Sequence, residues 1–92
     1  MNIVQVEGKG NVDIFLYTLS TCVWCKKAKK WLKKNKLAYR YVDVDLEPPE
    51  KKEAVMAEVR RCNPKGSFPT IVIDGHDCLV GFKPEKFKEV FR

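Results

Sequence analysis

The spacing of apolar and polar positions changes several times along the chain, and each change marks an element. Val12 to Leu19 is a nearly unbroken run of β-branched and aromatic residues, which predicts a strand buried on both faces. From Val23 the period becomes helical. Cys25, Ala28, Trp31 and Leu32 share one face and lysines fill the rest, predicting an amphipathic helix that ends near Asn35. Leu37 to Leu46 alternates with period two, Arg40, Val42, Val44 and Leu46 against Tyr39, Tyr41, Asp43 and Asp45, which predicts a second strand.

Pro48-Pro49, with Glu50 in the first turn, suits a helix start. This helix should run to about Cys62 on a stripe of Val55, Met56, Val59 and Cys62, until Asn63-Pro64-Lys65-Gly66 stops it. Thr70 to Ile73 and Cys78 to Val80 flank Asp74-Gly75-His76-Asp77, and an Asp-Gly between apolar runs is a strong hairpin signal. Pro84 opens a last short helix with Phe87, Val90 and Phe91 as its apolar positions. At the other end, Asn2 to Glu7 reads as a short strand and Gly8-Lys9-Gly10-Asn11 as a turn. The β-α-β-α-β-β-α order after residue 11 predicts an α/β sandwich on one mixed sheet.

Ninety-two residues suit a single domain, here 12–92 preceded by a strand-and-turn extension over 1–11. The longest uncharged apolar run, Ile14 to Val23, is half the roughly 20 residues a spanning helix needs. The first residues carry no secretory pattern. Four cysteines fall well below the roughly 8–10% of a disulfide-stapled secreted scaffold. The expectation is a cytoplasmic monomer without a membrane partner, its cysteines serving chemistry or packing.

The formal net charge of +6 first suggests nucleic acid. Its distribution argues otherwise. Residues 26–36 hold seven lysines and no acid, whereas the rest of the chain has eleven basic and twelve acidic residues. The excess is a collar on one helix, with no interleaved surface aromatics to stack bases (Trp31 reads as core), so no nucleic-acid partner is expected.

The chemistry sits where that helix begins. Cys22-Val23-Trp24-Cys25 lies at a strand-to-helix junction. Unpaired N–H groups and a partial positive charge at a helix N-terminus favour a thiolate at Cys22, and Lys26 and Lys27 would add to that. Cys25 falls one turn deeper on the apolar face and should stay protonated. This asymmetry suits disulfide exchange: Cys22 attacks, and Cys25 resolves the mixed disulfide. The competing possibility is half of a zinc or iron–sulfur site, but Cys62 and Cys78 do not form a second C-x-x-C, so no metal is expected. Cys62 and Cys78 read as small core hydrophobes and His76 as a solvated turn residue. Trp24 is either a substrate-facing aromatic or a cap on the helix.

Three stretches together resemble the glutaredoxins: F-L-Y-T-L-S-T-C-V-W-C at 15–25, S-F-P-T-I at 67–71 and V-G-F-K-P-E at 80–85. They look closer still to the glutaredoxin-like NrdH-redoxins. The resemblance implies a thioredoxin fold, with a mixed four-stranded sheet, three helices and room for an extra N-terminal strand. It also implies Cys22 as nucleophile, Cys25 as resolving thiol and a cis peptide before Pro69. Val23, Trp24, Ser67, Phe68, Pro69, Gly81 and Phe82 would then contact substrate. Departures from the glutaredoxin pattern bear on glutathione. The position of the family's glutathione-binding lysine matches Leu19, and Gly-Gly-x-Asp becomes Gly81-Phe82-Lys83-Pro84. The expectation is a redoxin without a tightly bound cofactor, with weak glutathione binding. It would be served by an upstream reductase and reduce protein disulfides, ribonucleotide reductase among the candidates. A glutathione-dependent glutaredoxin is the alternative.

Overall fold

A computed structural model describes residues 1–10 and 12–91; Asn11, the last residue of the predicted turn, lies outside them. The strands are β1 (Val4–Val6), β2 (Ile14–Thr18), β3 (Tyr39–Asp43), β4 (Thr70–Ile73) and β5 (Asp77–Val80). The helices are α1 (Val23–Lys34), α2 (Pro49–Cys62) and α3 (Pro84–Val90). All five strands form one sheet in the order β1-β3-β2-β4-β5. β2 and β3 are parallel, joined through α1, and the other neighbours are antiparallel. The N-terminal extension therefore supplies a fifth, edge strand.

All five residues of β2 are buried, as a strand covered on both faces requires. Ile14 and Leu16 pack with Ala28 and Leu32 of α1 and Phe87 of α3. Phe15 and Tyr17 point to the opposite face and pack with Val55 and Val59 of α2. The helices thus divide between the two sides of the sheet. Phe87 is fully buried and meets Trp31, Phe82 and Phe91 edge-on, at centroid separations of 5.0 to 5.4 Å.

The predicted second strand is shorter than its alternating pattern. Pairing stops at Asp43, and Val44–Leu46 turns as a single 3₁₀ coil. Val44 stays buried, but Leu46, expected on the same face, is 64% exposed. The Asp45 carboxylate accepts from the Ser20 backbone N–H at 2.8 Å and from its hydroxyl, which pulls the chain out of the sheet direction. The hairpin signal holds: Asp74 and Gly75 both have positive φ, 52° and 79°.

Candidate functional site

β2 ends beside the start of β4, with Tyr17 opposite Thr70, so the loops 19–22 and 67–69 flank one another at one end of the sheet. The peptide between Phe68 and Pro69 is cis. Pro69 is fully buried, and its carbonyl accepts the Gly81 N–H at 2.8 Å. Gly81 has φ 78°, a conformation glycine adopts without strain. Three stretches far apart in sequence therefore meet at the N-terminus of α1.

Cys22 is the N-cap of α1, and its Sγ accepts the Cys25 backbone N–H at 3.2 Å. This is the position where Ser, Thr, Asp or Asn usually offers an oxygen. The Cys22 sulfur thus lies against the unpaired donors and positive end of a 12-residue helix. Cys25 is fully buried. Burial pushes its thiol up to about 12, and the neighbouring Cys22 sulfur adds to the rise. Both are free cysteines.

The flanking residues divide. Val23 and Trp24 are exposed, 61% and 55%, and present an apolar surface beside Cys22. Ser67 is exposed, whereas Phe68 is half-buried against the α2-side core. Phe82 is half-buried and turns its ring onto Phe87 in the core on the α1 side of the sheet. Lys27 lies over the Trp24 ring, 4.5 Å from its centroid, and Lys26 is exposed. The lysine whose charge acts on Cys25, lowering its pKa, is Lys29. Its Nζ is 3.4 Å from Asp43 and 3.7 Å from the Tyr41 ring centroid.

The family profile described as Glutaredoxin matches residues 14–78. This chain belongs to the glutaredoxin family. It is 36% identical over 69 residues to a glutaredoxin-like 8.6 kDa protein in the rubredoxin operon of Clostridium pasteurianum, covering 75% of this chain and 84% of that one. It is 26% identical over 77 residues to the glutaredoxin-like protein NrdH of Lactococcus lactis, covering 84% and 97%. The crystal structure of a glutaredoxin from Methanosarcina mazei superposes with a TM-score of 0.87 at 41% identity, covering 95% of this chain and 84% of that one. The fold is thioredoxin-like and the enzyme class is thiol–disulfide oxidoreductase.

Two supports of the glutaredoxin site escaped the sequence pattern. Asp45 holds Ser20, two residues before Cys22, and the Ser20 bonds keep its carboxyl below the usual carboxylate range. Asn63 is buried. Its amide donates towards the Ser67 carbonyl at 3.1 Å, the Ser67 hydroxyl at 2.8 Å and the Thr70 hydroxyl at 3.2 Å. Asn63→Ala should cost about 1–2 kcal/mol in urea unfolding, because loop acceptors lose a buried donor. It should also raise KM for a protein disulfide while leaving the alkylation rate of Cys22 unchanged.

Cys62 and Cys78 correct an expectation. They are not separate core hydrophobes but a disulfide, with their Cα atoms 5.6 Å apart. Cys62 ends α2 and Cys78 lies on edge strand β5, so only the fold brings them together.

Proposed function

We propose that this redoxin reduces protein disulfides through Cys22 and Cys25. The observation that carries the assignment is the contrast within the pair: Cys22 caps the helix and receives the Cys25 N–H, while Cys25 is buried and held protonated. The Cys22 thiolate attacks one sulfur of the substrate disulfide, and the other substrate sulfur leaves as a thiolate that takes up a proton. Cys25 then gives up its proton and attacks Cys22 Sγ. The second substrate sulfur departs, leaving a Cys22–Cys25 disulfide. Two electrons have passed to the substrate, and a reductase must return them.

The Cys25 pKa gives a direct check. At pH 7 only about one part in 10⁵ of a thiol with a pKa of about 12 is thiolate. Iodoacetamide at neutral pH should therefore place one label on the reduced peptide carrying both residues, at Cys22. Cys25 should join only as pH rises toward 12. Rapid double labelling at pH 7, read by tandem mass spectrometry, would refute the assigned roles. The sign of the stability effect follows too: burial favours the neutral thiol, so this contribution is full below the ordinary thiol range and is lost as pH approaches 12.

For the electron donor we favour a thioredoxin reductase-type or other reductase over glutathione. Leu19 is half-buried against the α2-side core, where the family's lysine would meet a glutathione carboxylate. Phe82 packs on Phe87 where the family pattern has its second glycine, and Pro84, the first residue of α3, stands where that pattern carries an acid. The neighbouring acceptor fits an acidic protein surface. The lysine collar on α1 supplies the charge, and Val23 with Trp24 the apolar contact. Oxidised protein offered glutathione with its reductase, and separately a thioredoxin reductase, should turn over faster with the second. Faster turnover with glutathione would reverse the donor assignment. Ribonucleotide reductase is one protein acceptor to test. No helix among the described residues is long and apolar enough to cross a membrane, and we place the reaction in the cytoplasm.

A further inference from the structure

The Cys62–Cys78 disulfide lies outside the Cys22–Cys25 pair but next to the loop that site depends on. Asn63 follows Cys62 directly. Its backbone N–H donates to Val59 at 2.8 Å, its carbonyl accepts the Gly66 N–H at 2.8 Å, and its side chain grips Ser67 and Thr70. On the other flank Cys78 pairs with Val72, Val80 pairs with Thr70, and Gly81 donates to Pro69. The disulfide therefore closes a covalent ring, with a sequence separation of 16, around the cis-Pro loop.

The bond can also be reached. Cys78 is exposed on an edge strand and Cys62 is half-buried. Both border a cavity of about 460 Å³ that Tyr17, Arg61 and His76 also line. Room for a second molecule thus exists beside the sulfurs. Given the cytoplasmic placement proposed above, a disulfide there is usually a transient one with a catalytic or redox-sensing role.

We infer that Cys62–Cys78 is a second thiol–disulfide exchange centre, opened in the folded protein by dithiols, and that opening it loosens the cis-Pro loop. A thiolate of the dithiol bonds to the Cys78 sulfur, the Cys62–Cys78 bond breaks, and Cys62 leaves as a thiolate that takes up a proton. The second thiol of the reductant then loses its proton and attacks its own sulfur in the mixed disulfide. Cys78 is released as a thiolate and protonated. The dithiol is oxidised to a disulfide and the protein pair is reduced, two electrons having passed.

The test uses dithiothreitol on the full chain, with peptide-resolved alkylation and hydrogen exchange, so it does not depend on the roles given to Cys22 and Cys25. Folded protein should gain labels on Cys62 and Cys78. A monothiol, 2-mercaptoethanol, should be trapped as a mixed disulfide on Cys78. The Gly66 and Gly81 amides should then exchange about tenfold faster. In a C62S/C78S variant they should exchange fast with and without dithiothreitol, which separates this effect from reduction of Cys22–Cys25. Release of Cys62 and Cys78 only in denaturant would overturn exchange in the folded state. A mixed disulfide on Cys62 would overturn the direction of attack. Unchanged exchange at Gly66 and Gly81 in the reduced wild-type chain, which needs no variant to fold, would overturn the coupling to the loop.

Discussion

Cys22→Ser should abolish insulin-disulfide reduction, lowering turnover by about 10³-fold or more, whereas Cys25→Ser should still capture substrate and stall. Serine is among the best N-cap residues, and its oxygen can take the Cys25 N–H that the Cys22 sulfur accepts at 3.2 Å. Helix α1 therefore keeps its cap, and thermal stability should change little. The loss would be one of nucleophile rather than of fold. In Cys25→Ser the first attack proceeds, but no thiol remains to attack Cys22. With a dithiol-specific reductase and no glutathione, the mixed disulfide should accumulate on Cys22 and be visible on a non-reducing gel. A Cys22→Ser variant with substantial activity would remove the chemical assignment. A Cys25→Ser variant turning over like the parent under those conditions would remove the resolving role. Melting curves of both variants identify any loss that comes from misfolding.

The strand that leads to Cys22 and the helix that follows were legible because each is a strong pattern. β2 is a nearly unbroken run of β-branched and aromatic residues, and α1 sets Cys25, Ala28 and Leu32 against lysines. The hairpin was legible because Asp74-Gly75 meets a steric requirement for positive φ. Contacts between distant residues were not legible. Asn63 beside a proline reads as a helix stop, and only the fold sets its amide against Ser67 and Thr70. The alternation through Leu46 ran past the true end of β3, because a side-chain bond from Asp45 to Ser20 decides where the chain turns. The lysine collar gave seven similar residues, and sequence proximity to Cys25 favoured Lys26 and Lys27. Helical spacing favours Lys29, one turn beyond Cys25, which is half-buried and paired with Asp43.

Removing the Cys62–Cys78 bond should cost about 3 kcal/mol, by the chain-entropy relation for a loop of this length. For a domain of 92 residues that corresponds to a fall in Tm of about 12–24 °C. The comparison is wild type against C62S/C78S, in urea and by heating, without reductant. Cys78 is exposed and Cys62 half-buried, so serine adds little desolvation cost and the effect reads mainly the lost cross-link. The urea slope distinguishes this from a simple packing defect. A cross-link compacts the unfolded chain, so its loss should expose more surface on unfolding and raise m. A packing defect would lower the midpoint at constant m. A Tm change below about 4 °C, less than 1 kcal/mol on this scale, would mean that the bridge contributes little to folding. The size of the penalty also bounds the exchange reaction: the folded state must remain favoured after the bond opens, and domain stabilities of about 5–15 kcal/mol leave room for that.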